Sequence, residues 1–141
     1  MGQCYNSAIV NAPVNNVWSA LRSFHDMSWS RTIETVERVG DKGPAEIGAR
    51  RLLNGTFEET LVELDNSARS LRYSIESGPP PLSRDAIRSY FGTVQVDPVT
   101  DTNKSFVLWT AEYETSDDES VHDFCDPLYQ KLLNELAQHF A

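Results

Sequence analysis

From Glu46 to Thr115 apolar and polar residues alternate with a period of two. The alternation breaks only at turn-forming stretches: Asn54-Gly55-Thr56, Asp65-Asn66-Ser67-Ala68, residues 77–83 and residues 98–103. A period of two sends successive side chains to opposite faces of a strand. Connections this short join antiparallel neighbours. Segments 46–53, 57–65, 69–76, 86–97 and 104–115 are therefore predicted to form an antiparallel meander, with Pro79-Pro80-Pro81 outside the sheet because consecutive prolines cannot donate to a ladder. Segments 3–11 and 32–39 also have strand character. A sheet with one apolar face must bury it, and the chain offers one long partner. After the acidic stretch 116–120, Phe124, Leu128, Leu132 and Leu136 form one row at helical spacing, and Tyr129, Leu133, Ala137 and Phe140 form the row beside it. Asp126-Pro127 reads either as an N-cap with a first-turn proline or as a kink in a longer helix from about Glu119. Near the start, Asn11-Ala12-Pro13 ends a strand and opens a helix with Val17, Trp18, Leu21 and Phe24 on one face. His25–Ser30 is read as a second short helix. The fold class is α+β: a curved antiparallel sheet wrapped around a long C-terminal helix, with two short helices after the first strand.

The 141 residues suffice for one core, so residues 1–141 are read as a single domain. Lys and Arg number 12 and Asp and Glu 21, giving 12 − 21 = −9. Without a basic run, that balance disfavours nucleic acid and anionic membrane surfaces. No apolar run approaches the roughly 20 residues of a membrane span. The N-terminus shows no secretory signal and meets the myristoylation pattern only in part, with Asn6 where Ser or Thr is wanted. The chain reads as soluble and cytoplasmic, a monomer or homodimer. Cys4 and Cys125 are too few for a disulfide framework and match no zinc spacing, so neither a metal nor another cofactor is expected.

The hairpin at Arg50–Glu59 poses the functional question. With a three-residue loop, Leu53 faces Phe57, Arg51 faces Glu59 and Ala49 faces Leu61, all on the apolar face. A two-residue loop would instead pair Arg50 with Glu59. Either way Glu59 lies between Phe57 and Leu61 on a face that should avoid charge. The pair is either solvated at the rim of the sheet or set into a wet cavity that relieves the cost of burying ions.

Four stretches resemble a known superfamily. They are Asn11–Leu21 (an Ala-Pro followed by Val-Trp), Ile47–Asp65 (a Gly-x-x-Arg strand, a short hairpin and a Glu-x-Leu strand ending in Asp), Ser70–Ile75, and the pair Pro80–Val96 with Val107–Tyr113. Together the chain resembles the START-like, or SRPBCC, superfamily. This is the helix-grip fold of polyketide cyclase/dehydrase-type proteins, the birch pollen allergen family and the plant abscisic acid receptors, with the bacterial polyketide cyclase/dehydrase-like branch nearest. The resemblance implies a curved seven-stranded antiparallel sheet gripping the C-terminal helix around a hydrophobic cavity. It implies that Arg51 and Glu59 point into that cavity, that Tyr90 and Trp109 line it, and that Phe124, Leu128 and Leu132 face it. Ser89 stands where the family often has Asn. The hairpin is too short for the receptors' gate loop.

The leading expectation is binding or transport of a small hydrophobic molecule, lipid, polyketide or aromatic-like. Its candidate contacts are Arg51, Glu59, Trp29, Leu53, Phe57, Leu61, Tyr73, Ile75, Tyr90, Trp109, Phe124, Leu128 and Leu132. The polar pair would grip a hydroxyl, carbonyl or carboxylate. A second expectation is an enzyme of the polyketide cyclase, aromatase or dehydrase type, with Glu59 as the candidate acid/base. The balance leans away from an enzyme, since His25-Asp26 has no nucleophile placed with it. A third is a ligand-free interaction module, which requires a filled interior and an exposed Arg51–Glu59 pair.

Overall fold

Alternation and turn chemistry produce seven strands in a computed structural model that describes residues 1–141. They are β1 (Gly2–Val10), β2 (Val36–Val39), β3 (Arg50–Leu53), β4 (Phe57–Asp65), β5 (Ser70–Ser77), β6 (Ile87–Val99) and β7 (Lys104–Thr115). Helix α1 (Val14–Arg22) follows β1, and helix α2 (Asp118–His139) ends the chain. All pairs are antiparallel, in the order β1-β7-β6-β5-β4-β3-β2. The first strand thus pairs with the last, and the meander runs from there to β2 at the far edge. Register shifts in β4, at Glu58/Glu59 and Leu61/Glu63, bend that half of the sheet. The sheet curls toward α2, which lies over β1 and β7. This leaves β3–β5 to face the helix across the deepest part of the interior. No helix is long and apolar enough to cross a membrane.

Three local outcomes differ from the sequence pattern. There is one short helix after β1, not two: His25–Ser30 forms turns. Asp26 accepts a hydrogen bond from the Ser28 backbone N–H at 2.9 Å, a local bond that competes with helix. The strand expected at 32–39 shortens to β2. Asn54 accepts from the backbone N–H of Glu34 and Thr35 and donates to the Thr32 carbonyl, which takes those groups off the ladder. The strand expected at 46–53 begins only at Arg50, because Gly48 has a φ of +92°, outside strand conformation. At α2 the longer alternative is the observed one. Asp117, not Asp126, is the N-cap and accepts from Ser120 N–H at 3.1 Å, while Pro127 lies inside the helix.

Packing then fixes the interior. Val121, Cys125, Tyr129, Leu132, Leu133 and Leu136 of α2 are buried. Trp18 of α1 donates through Nε1 to Asn66 Oδ1 at 3.1 Å, tying the helix to the β4–β5 turn. Asn6 of β1 reaches the carbonyl and carboxylate of Asp126, holding α2 beside its proline turn.

Candidate functional site

The hairpin has the three-residue register: Arg51 pairs with Glu59, and Leu53 with Phe57. The charged pair faces inward. Arg51 is 7% exposed and Glu59 5%, so the rim alternative does not hold. Arg51 places Nε and Nη2 on Glu59 Oε1, at 2.8 and 2.7 Å. Its Nη1 donates to the Phe24 carbonyl at 3.1 Å, and the guanidinium carbon lies 3.9 Å from the Phe24 ring centroid. Arg51 therefore has its fork and its flat face both occupied, an arrangement only a guanidinium satisfies. Glu59 does not: both contacts fall on Oε1, and Oε2 makes no hydrogen bond. Burial pushes the Glu59 carboxyl above the usual carboxylate range, and the Arg51 charge pulls it part of the way back.

Beside the pair runs a buried chain of phenols. Trp109 Nε1–H donates to Tyr73 Oη at 3.0 Å, Tyr73 donates to Tyr129 at 3.0 Å, and Tyr129 is hydrogen-bonded to Tyr90. Burial raises the pKa of all three tyrosines, so they are neutral donors at physiological pH. Gly92 makes this possible. It pairs with Tyr73 across β5 and β6, and a Cβ there would lie 2.2 Å from Tyr73 Cζ. The Tyr73 ring lies flat over the space a side chain would fill, which brings its hydroxyl to β7 and α2.

Two cavities of about 20 Å³ each flank this chain. The first is bounded by Arg51, Leu53, Phe57, Glu59, Tyr73 and Ile75 from the sheet, Trp109 from β7, and Leu128 and Leu132 from α2. The second lies toward α1, with Trp29, Leu21, Leu71 and Val94. Met27, Arg51, Tyr73 and Trp109 border both. Each cavity has room for about one water. Trp29 is 7% exposed, and its Nε1–H is buried without a partner. Phe57, in the wall of the first cavity, stacks on Phe124 of α2, with ring centroids 6.2 Å apart. The 77–83 loop folds onto Phe57 through Leu82, fully buried, and Gly78, whose position is 3.2 Å from the Phe57 ring when a Cβ is added.

Of the residues proposed as contacts from sequence, Leu61, Tyr90 and Phe124 border neither cavity: Leu61 is core, Tyr90 ends the phenol chain and Phe124 stacks on Phe57. The pattern missed Met27, Ile33, Cys125 and Tyr129 at the first cavity, and Leu21, Asp26, Leu71 and Val94 at the second. Tyr129 and Cys125 lie on the helical stripe beside the one taken to face inward, and Met27 and Ile33 lie in irregular chain where periodicity gives no signal. His25 does not form a dyad with Asp26: its Nε2 contacts the Arg50 carbonyl at 2.9 Å near the surface. Of the conditions for a ligand-free module, the interior is close to filled but the Arg51–Glu59 pair is not exposed.

A solved structure of a Nitrosospira multiformis protein is 40% identical to this chain, with a TM-score of 0.94, covering 99% of this chain and 96% of that one. One from Thermobifida fusca is 28% identical, with a TM-score of 0.83, covering 99% and 93%. Norcoclaurine synthase from Thalictrum flavum is 14% identical, with a TM-score of 0.70, covering 96% and 84%; the likeness there is one of fold. No curated protein matches the chain. The family described as polyketide cyclase / dehydrase and lipid transport matches residues 1–141. With the curled seven-stranded sheet and its gripped C-terminal helix, this match establishes that the chain belongs to the polyketide cyclase/dehydrase and lipid transport family, within the helix-grip fold.

Proposed function

We propose that the protein binds a small apolar molecule carrying one hydrogen-bonding group, between β3–β5 and α2. One observation carries the reading: the apolar interior holds Trp29 Nε1–H, a buried donor without a partner, beside Glu59, whose two bonds from Arg51 both fall on Oε1. A core built only for stability gains nothing from such an orphaned donor, since an unpaired buried polar group costs about 1–3 kcal/mol. A ligand hydroxyl or carbonyl recovers that cost. Ligand sites occupy about 300–1,000 Å³, so the two 20 Å³ cavities correspond to a closed form. Entry requires Phe57 and Phe124 to part, and Met27, a flexible side chain bordering both cavities, to move aside.

The test uses anilinonaphthalene sulfonate, a fluorescent apolar probe. Saturable binding of one probe per chain is expected, with Ile75→Trp and Leu132→Trp abolishing it while the fold is retained by circular dichroism. No saturable binding, or binding that both variants leave intact, overturns the reading.

The enzyme alternative has one observation in its favour: Glu59 has a free Oε2 and a raised pKa at a cavity wall. Glu59→Gln separates the two. In a catalyst it removes turnover and spares binding. In a carrier it changes affinity alone.

A further inference from the structure

Away from the interior, the fold brings together three side chains that sequence spacing keeps apart. Cys4 lies on β1, and His122 and Asp126 lie one turn apart on α2. A ring nitrogen of His122, a carboxylate oxygen of Asp126 and Cys4 Sγ lie within 4.8 Å of one another. The side chains are individually oriented. Asn6 donates to Asp126 Oδ1 at 2.9 Å, Tyr113 Oη lies 3.7 Å from Cys4 Sγ, and Asp123 Oδ1 lies 3.7 Å from His122 Nδ1. Cys4 is 3% exposed, His122 is exposed and Asp126 half-buried, so the three donors run from core to surface. They border an open depression with Gln3, Tyr5 and Glu112.

We propose that Cys4, His122 and Asp126 form a binding site for a divalent transition-metal ion of the zinc class. The donor set supports that class. Thiolate and imidazole suit zinc and cobalt and discriminate against magnesium and calcium, which take oxygen ligands. Three protein ligands on an open depression leave a fourth tetrahedral position for water. Binding displaces the Cys4 thiol proton to solvent, forms the metal–sulfur bond and changes no oxidation state. The Asn6 and Tyr113 contacts hold the carboxylate and the sulfur in place, the role outer-shell partners play at metal sites. The ion would join β1 to the turn of α2 that carries Phe124, the ring stacked on the cavity-wall Phe57. The sequence concealed this site because its thiol is more than a hundred residues from its other two ligands.

The test is cobalt(II) titration of the untagged, chelator-treated full chain, read by absorption and by metal content. One ion per chain is expected, with a thiolate-to-cobalt charge-transfer band in the near ultraviolet and tetrahedral d–d bands in the visible. Cys4→Ser removes the charge-transfer band. His122→Gln, at an exposed position that leaves the fold intact, lowers affinity by at least the roughly 10–100-fold seen for outer-shell losses. His139→Gln changes nothing. Added zinc raises the melting temperature of wild type and not that of His122→Gln. Absence of a charge-transfer band in wild type, or equal affinity in wild type and His122→Gln, overturns the proposal.

Discussion

Replacing Arg51 by Met leaves the packing stem and removes the charge. Glu59 is then 5% exposed carboxylate with no partner, and the Phe24 carbonyl loses its donor. Removing one member of a buried ion pair costs about 3–5 kcal/mol. For a chain of this length, about 3 °C of melting temperature corresponds to each kcal/mol, so Arg51→Met is expected to melt about 10–15 °C below wild type. The deficit is also expected to depend on pH. The folded-state pKa of Glu59 is already raised by burial, and loss of Arg51 raises it further. Between its unfolded and folded pKa values the folded protein then binds more protons than the unfolded chain, so stability falls as pH rises through that window. The Arg51→Met deficit should therefore shrink on acidification from neutral pH. The double variant Arg51→Met/Glu59→Leu should recover to near wild type, because well-packed apolar replacements of buried pairs are often neutral or stabilising. Urea denaturation at several pH values measures all three. A single-variant loss below about 1 kcal/mol, the range of exposed pairs, would refute the burial of Arg51 and Glu59 as a pair.

Glu135 accepts from Ser30 Oγ at 2.7 Å and Thr32 Oγ1 at 2.9 Å, so Glu135→Ala should cost about 2–3 kcal/mol through the orphaned donors, read by thermal melting. Burial pushes this carboxyl up, but bonds from Ser30, Thr32 and the Arg31 backbone outweigh it and leave its pKa lowered. Its contribution is thus present above the unfolded pKa and lost as pH falls through the folded one. Gly92→Ala should displace Tyr73, cost about 1–3 kcal/mol by overpacking and change the near-ultraviolet circular dichroism; an unchanged aromatic spectrum would mean that Tyr73 does not lie across β6. Cys4 and Cys125 are buried with raised pKa values, Cys125 pushed up to about 12. A thiol reagent at pH 8 should therefore find no fast-reacting cysteine in the native chain and two after unfolding.

How much of this could be read from sequence follows from the range of the forces involved. Alternation and Asn54-Gly55 are local, so the meander and the hairpin were legible, and the register was narrowed to two, of which the three-residue loop that pairs Arg51 with Glu59 is the one observed. The stripe of α2 was legible because helical periodicity is local too. Pairing of β1 with β7 spans the chain and left no local mark. The course of residues 30–35 depends on Asn54 and Glu135, 19 or more residues away, and was illegible for the same reason. Within the site, the strand-borne cavity walls Tyr73 and Ile75 were legible from their face of the sheet. Met27 and Ile33 belong to irregular chain, and Tyr129 needs the rotation of α2 to be known.

That leaves the question of why the charged pair exists. If the double variant is as stable as wild type, stability does not account for Arg51 and Glu59, because Leu and Met would serve the core equally well. Their placement then needs another reason, and the geometry limits which. Arg51 is held on Glu59, the Phe24 carbonyl and the Phe24 ring at once, so it is fixed in position rather than free to seek a partner. A fixed cation on Oε1 favours the ionised carboxylate and leaves Oε2 as a pre-oriented acceptor. Such an acceptor stabilises a bound hydroxyl without reorganisation, whereas proton abstraction would have to proceed against the pull of Arg51 on the carboxylate charge. On this argument the pair is better suited to orienting a ligand than to taking its proton. Arg51→Lys then becomes the informative variant: it keeps the charge, gives up the planar fork and should weaken probe binding more than it weakens the fold.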